Sequence, residues 1–229
     1  LRRASFIHAV SRFAAQQLAQ FQPQLAGKTV VVPHGVSPRF SPGEGPGEAF
    51  VLGVGGGEAH KNWELVLEVY ATPQARSLPP LRLVGPVARE EKVLQSIRER
   101  GLTQRVQLFP QVDESTLVAC YRQALALVFP SLNEGFGLPA LEAMACGCPV
   151  LAAAAGALPE VCGPAALLLP PREVEPWLTA LHALHTNPAL RAHLREAGLA
   201  RARSFSWEAT ARSLLELYRE AARKASSWR

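Results

Sequence analysis

Lys61 sits at the end of a glycine-rich stretch, Gly53-Val54-Gly55-Gly56-Gly57-Glu58-Ala59-His60-Lys61-Asn62. Glycines let a backbone turn sharply and approach a phosphate, and free N–H groups at a helix start favour anions. Lys61 adds a mobile positive charge at that point. The chain has only four lysines, Lys28, Lys61, Lys92 and Lys224, so one in such a loop stands out. The spacing is neither of two common phosphate fingerprints. The third glycine of G-x-G-x-x-G would fall on Glu58, and Lys61 is followed by Asn62 where a Walker loop has Ser or Thr. On this loop alone, a surface turn and a phosphate cradle explain the residues equally well.

A second stretch, Pro130-Ser131-Leu132-Asn133-Glu134-Gly135-Phe136-Gly137-Leu138-Pro139-Ala140-Leu141-Glu142-Ala143, has more chemistry in it. Gly135 and Gly137 expose backbone N–H groups ahead of a helix that Pro139 starts, which makes a cradle for an anion or for sugar hydroxyls. Glu134 precedes the cradle and Glu142 follows eight residues on. A carboxylate can accept two hydrogen bonds from neighbouring hydroxyls of a ribose or hexose. Two carboxylates flanking an anion cradle therefore suit a sugar–diphosphate–ribose ligand. The plainer alternative is a capped helix with a solvent-facing glutamate. Against it, Glu142 sits among Ala140, Leu141, Ala143, Met144 and Ala145, where an idle carboxylate is costly. A third stretch, Ala155-Gly156-Ala157-Leu158-Pro159-Glu160, is weak evidence alone.

These loops can cooperate only if one sheet presents them at one edge. Apolar runs at Phe50–Val54, Leu81–Val84, Val106–Phe109, Leu125–Phe129, Pro149–Ala152 and Ala166–Leu169 read as strands. Helical patterns alternate with them at Trp63–Tyr70, Ala88–Arg100, Glu114–Gln123 and Pro139–Ala145, and three more follow at Val174–His185, Pro188–Arg203 and Trp207–Lys224. Continuous apolar strands alternating with amphipathic helices predict a doubly wound, Rossmann-like α/β fold with a parallel sheet covered on both faces. Ligands then bind outside the carboxyl ends of the strands. Upstream, Ala4–Val10 and Lys28–Val32 read as strands around a helix capped by Ser11 and running to about Gln20. Ser37–Glu48, with three prolines and three glycines, reads as a linker or long surface loop.

Composition narrows the function classes. The net charge of +5 is spread along the chain with no aromatic interleaving, so a solvated basic surface is expected rather than a nucleic-acid interface. Asp113 is the sole aspartate, which removes any Asp-x-Asp metal motif and any aspartate pair. Cys120, Cys146, Cys148 and Cys162 lack zinc-ribbon spacing and read as idle cytosolic thiols. The six histidines suggest no site, and no apolar run is long enough to span a membrane. The start, Leu1-Arg2-Arg3-Ala4-Ser5, reads as a cut or processing boundary.

The stretch from Glu134 to Val150 resembles the paired-glutamate signature of the family 4 (group 1) retaining glycosyltransferases of the GT-B fold. Val32-Pro33-His34-Gly35-Val36 is similar to that family's crossover into its second lobe. Val54-Gly55-Gly56 with His60-Lys61-Asn62 is similar to its phosphate loop, and Gly156–Val161 to its next loop. All stand in family order across nearly the whole chain. The resemblance implies residues 1–36 as the end of the acceptor lobe and crossover, and 37–49 as a linker. It implies 50–205 as the nucleotide-sugar domain and 206–229 as a helix packing back toward the first lobe.

It also implies roles. Gly55, Gly56, His60 and Lys61 would surround the donor diphosphate. The backbone of Gly135, Phe136, Gly137 and Leu138 would bind phosphate and sugar oxygens. Glu134 would lie beside the transferred sugar, Glu142 would hold the ribose, and Gln111 and Val112 would border the base. Lys61 and Glu134 would be the catalytic pair. The substrate would be a UDP- or GDP-linked sugar, with no metal or further cofactor. The acceptor would be a glycan or a lipid-linked molecule, reached through a first lobe of which only the end is present. The expected location is the cytoplasm, with peripheral membrane contact left open. Many members carry an arginine in the glycine loop, where this chain has Gly55, Gly56 and Gly57, with His60 directly before Lys61. The alternatives are a non-catalytic nucleotide-binding module of the same fold, or another GT-B enzyme such as a nucleotide-sugar epimerase.

Overall fold

A computed structural model describes residues 4–43 and 49–226. Residues 44–48, inside the expected linker, lie outside the described residues, as do the first three positions and the last three. The chain opens with β1 (Ile7–Ala9), α1 (Arg12–Phe21) and β2 (Thr29–Val31). β1 and β2 pair in parallel, with Ile7 opposite Thr29, as a two-stranded sheet of their own. Both strands are shorter than their apolar runs suggested.

The main body alternates strand and helix as far as Thr186. In order come β3 (Phe50–Val54), α2 (Trp63–Ala71), β4 (Leu81–Val84), α3 (Glu91–Glu99), β5 (Val106–Phe109), α4 (Glu114–Gln123) and β6 (Ala124–Phe129). Then come α5 (Leu138–Ala145), β7 (Val150–Ala153), α6 (Leu158–Cys162), β8 (Leu167–Leu169), α7 (Val174–Thr186), α8 (Pro188–Ala202) and α9 (Trp207–Ser226). The six strands from β3 onward form one parallel sheet in the order β5-β4-β3-β6-β7-β8. Every residue of central β6, Ala-Leu-Ala-Leu-Val-Phe, is buried, as expected of a strand covered on both faces. Phe50, Tyr70, Tyr121, Phe129 and Trp177 fill the two helix–sheet layers. Each fully buried side chain of that size contributes roughly 2–3 kcal/mol.

The strand order explains where a ligand fits. The chain enters the sheet at β3, winds outward to β5, then returns beside β3 as β6 and winds outward the other way. The loops after β3 and β6 therefore leave in opposite directions and open a crevice between them at the carboxyl edge. Those two loops carry Lys61 and Glu134.

Two local features depart from the sequence reading, and a third gives the lone aspartate its place. The expected helix over Ala88–Arg100 is broken: Pro86–Arg89 is a 3-10 turn, Glu90 is extended, and α3 begins at Glu91. The turn is anchored because Val87 is fully buried and donates its N–H to the Gly55 carbonyl at 3.1 Å. α6 has only five residues, too few for a period to show, and buries Leu158, Val161 and Cys162. Asp113 caps α4 by accepting the Thr116 N–H at 2.7 Å, and bonds from Thr116 and Ser115 hold its carboxyl below the usual range. Its helix-capping role accounts for the lone aspartate without a catalytic one.

Candidate functional site

The site begins with the chain turning out of β3. Gly55 donates to Val84 O at 3.0 Å and accepts from Val87, so its loop is stitched across to β4. Trp63, the first residue of α2, donates its indole N–H to Gly56 O at 2.7 Å. Between these anchors the chain makes a 3-10 turn, Ala59–Lys61. Asn62 then adopts a left-handed conformation with φ 58°, and its side-chain amide donates to Pro130 O at 3.2 Å and Pro171 O at 2.8 Å. The two loops are also joined directly, since Leu132 N–H donates to His60 O at 2.7 Å. It is the His60 carbonyl, not its exposed ring, that this structure fixes.

On the other side of the crevice, Glu134 meets Lys61. The Lys61 Nζ donates to Glu134 Oε1 at 2.7 Å, with the two side chains only 16% and 13% exposed. Lys61 Nζ also lies 5.6 Å from the centre of the Phe129 ring. Two sequence-distant groups singled out for ligand charge thus neutralise each other, in a partly desolvated setting where removing one partner is expensive.

The Glu134 backbone is held as firmly as its side chain. Its carbonyl accepts from Ala157 N at 2.9 Å. Gly156 has φ +60°, and a Cβ there would stand 2.6 Å from Glu134 N. Gly156→Ala should therefore lower stability by roughly 1–3 kcal/mol in urea unfolding, from left-handed strain and backbone contact together. A loss below about 0.5 kcal/mol, the range of an ordinary surface change, would show that the loop yields freely.

Gly137 is left-handed at φ +99° and precedes α5, with Pro139 in the first turn. A side chain at Gly137 would collide with Leu158. The N–H groups at the start of α5 are thus presented by a glycine that close packing requires. Ser11 steadies this loop from the first segment: it caps α1 through Ala14 N at 2.9 Å and donates its hydroxyl to Gly135 O at 2.6 Å. Phe136 is buried, edge-on to His34 at 5.2 Å and to Phe205 at 5.8 Å. Burial, with His8 nearby, lowers the His34 pKa.

Glu142, one turn into α5, does not touch the Lys61–Glu134 pair. It accepts the Tyr121 hydroxyl through Oε2 at 3.0 Å. Burial raises its pKa, the Tyr121 hydrogen bond opposes that rise, and Glu114 adds to it. Beyond the glycine loop, at the carboxyl ends of β3, β4 and β5, lies an open cavity of about 490 Å³. Val54, Gly55, Gly85, Arg89, Gln111 and Val112 are among its lining residues. The structure therefore places the Gly55 loop and Val112 around one cavity, and Lys61, Glu134 and Gly137 around one crevice.

Several contributors carried no readable sequence signal. Tyr121 and Arg89 fell inside the expected helices Glu114–Gln123 and Ala88–Arg100 with nothing to set them apart, and Ser11 read only as a helix cap. The four thiols are buried and unpaired, and burial pushes Cys146 and Cys162 up to about 12. Among the described residues, no helix is long and apolar enough to cross a membrane.

Comparison with known proteins identifies the family and the fold. The family model described as "Glycosyl transferases group 1" matches residues 38–201. A D-inositol 3-phosphate glycosyltransferase of Rhodococcus erythropolis is 38% identical over 196 residues, covering 81% of this chain and 44% of that protein. The O-antigen chain mannosyltransferase B of Escherichia coli is 34% identical, covering 75% of this chain and 46% of that protein. The chain thus spans about half the length of these curated relatives. Sucrose-phosphate synthase from Thermosynechococcus elongatus superposes with a TM-score of 0.85 at 29% identity, covering 96% of this chain and 59% of that one. Anabaena HepE, solved with UDP and glucose, superposes at 0.84 with 21% identity, over 95% of this chain and 63% of that one, and shares the fold. With its paired loops, its sheet order and a family match over most of its length, the chain belongs to the group 1 glycosyltransferases.

Proposed function

We propose that the chain is the donor-binding lobe of a family 4 retaining glycosyltransferase of GT-B architecture, which transfers a hexose from a nucleoside diphosphate to a glycan or lipid-linked acceptor. The observation that carries this reading is the meeting of Lys61 with Glu134 at the switch point, beside the left-handed Gly137 and the start of α5.

In this reading Lys61 and the N–H groups of Phe136, Gly137 and Leu138 take the diphosphate, with Gly55, Gly56 and His60 bordering it. Glu134 lies beside the transferred sugar. Glu142 accepts from the ribose hydroxyls. The base enters the cavity at Gln111 and Val112, whose 490 Å³ holds a uracil or guanine ring. Charge that develops on the leaving diphosphate is stabilised by Lys61 and by the fixed backbone dipoles, which require no reorganisation as the bond breaks. The acceptor attacks from the face the diphosphate leaves, without a covalent protein nucleophile, metal or cofactor. Residues 1–36 belong to the acceptor lobe and crossover, 37–49 to a linker, 50–205 to the donor domain and 206–229 to the returning helix. The enzyme works in the cytoplasm, where a lipid-linked acceptor would bring it to a membrane surface.

Calorimetric titration of the chain with UDP, GDP and ADP tests the reading. One of the first two should bind, and Glu142→Ala should weaken it by about tenfold through lost ribose hydrogen bonds. Absence of binding by all three, in a chain shown to be folded, would overturn it.

A further inference from the structure

Tyr121 has no place in the roles above, yet it is fully buried and spends its hydroxyl on Glu142. It belongs to α4, which leads into β6, whereas Glu142 belongs to α5, which follows β6. The hydrogen bond therefore crosses between two helices and ties the carboxylate to a ring held by Phe40 at 6.0 Å. Oε2 receives that bond. Oε1 has no partner among the described residues and is not closed off from solvent.

We infer that Tyr121 is a positioning residue for the ribose-binding carboxylate: its hydroxyl fixes Glu142 Oε2 and leaves Oε1 free to accept from the vicinal hydroxyls of the ligand. This inference rests on the donor-site reading. Its physical content is twofold. The bond sets the rotamer, so the carboxylate is aimed before the ligand arrives. It also favours the ionised form, which is the form that accepts from two hydroxyls. The groups around Glu142 act in opposite senses. Burial and the charge of Glu114, from the start of α4, both disfavour ionisation, and Tyr121 favours it. Cys146, which caps the C-terminal end of α5, lies close enough for its charge to act on Glu142, but its thiol stays protonated to about pH 12. The Tyr121 phenol is held far above its usual range, so it remains a donor throughout.

The sign follows from these terms. Removing the hydroxyl leaves burial and Glu114 unopposed, so the Glu142 pKa rises further. Ribose recognition, which needs the carboxylate, should then be lost at a higher pH than in the parent chain.

The test compares UDP and GDP, each with its counterpart lacking both ribose hydroxyls, by calorimetry across acid to neutral pH. The ratio of the two affinities cancels the titration of the phosphate itself. The parent chain should prefer the ribose ligand by about tenfold at neutral pH and lose the preference on the acid side. Tyr121→Phe should lose it at a higher pH than the parent and regain it toward alkaline pH. Glu142→Gln should show a weak preference with no pH dependence, and it serves if Tyr121→Phe does not fold. A Tyr121→Phe curve that coincides with the parent's at every pH would overturn the role of Tyr121 while leaving the donor site standing, whereas a Glu142→Gln variant that keeps the acid limb would take the ribose away from Glu142, and the inference with it. A parent chain that binds neither ligand removes the donor site, and the inference with it.

Discussion

Replacing Lys61 with alanine is expected to weaken binding of the nucleoside diphosphate by about 10- to 100-fold, the range for losing one charge-assisted hydrogen bond in a partly buried site. Three features single out this lysine. It is one of only four in the chain. Its side chain is held over Phe129 and is 16% exposed, so its charge is poorly solvated. Its backbone is fixed on both sides, through the left-handed Asn62 and the bond from Leu132 to the His60 carbonyl. Lys61→Arg should restore only part of the affinity, because a planar fork does not fit where a point charge is cradled. Lys92→Ala, on the exposed surface of α3, supplies the matched loss of charge and should leave binding unchanged. Calorimetry with the three variants reads these differences. Equal effects from Lys61→Ala and Lys92→Ala would show that only net charge matters.

Glu134→Gln is expected to act in the opposite direction on the bare diphosphate. In the ligand-free chain Glu134 holds the very charge that the phosphate needs, at 2.7 Å. An incoming anion must displace this carboxylate from Lys61 and then lie near it. The amide keeps the shape and the hydrogen-bonding reach but removes the negative charge, so affinity for UDP or GDP should rise by roughly tenfold. The sugar-linked form should not share that gain, because the proposed function puts Glu134 beside the sugar. The difference in affinity between the sugar nucleotide and the bare diphosphate should therefore shrink. The substitution also leaves Lys61 without its counter-charge, so urea unfolding should show a loss of about 1–3 kcal/mol. Weaker binding of the bare diphosphate in Glu134→Gln would mean that the carboxylate aims the lysine rather than competing for it.

Much of this arrangement was legible in the residues because local and global signals coincide. The apolar run of β6 and the alternating helices fixed a parallel sheet, and a parallel sheet puts functional loops at one edge. Glu134, Gly137 and Pro139 are local features of a strand–loop–helix junction, so their spacing alone predicted a helix starting just after a glycine turn, which α5 is. Elsewhere the governing contacts are long-range. The break at Glu90 depends on Val87 reaching across to the Gly55 carbonyl. The need for Gly156 depends on how closely Glu134 packs against it. The partnership of Tyr121 with Glu142 links residues on two helices separated by β6, and nothing in the periodicity of α4 sets that tyrosine apart from a core residue. His34 stands in the crossover stretch Val32–Val36, but its place against Phe136 and Trp207 exists only once the crossover and α9 come together.

The most direct test of the donor-site account is a crystal structure of the chain with the nucleoside diphosphate that titrates best. The account predicts the diphosphate on Lys61 and the first N–H groups of α5, with the Lys61–Glu134 bond exchanged for a lysine–phosphate bond. The ribose should lie on Glu142 and the base in the cavity beside Val112. A diphosphate held elsewhere, for instance in the cavity lined by Arg12 and Arg201, with the Lys61–Glu134 pair intact, would contradict it.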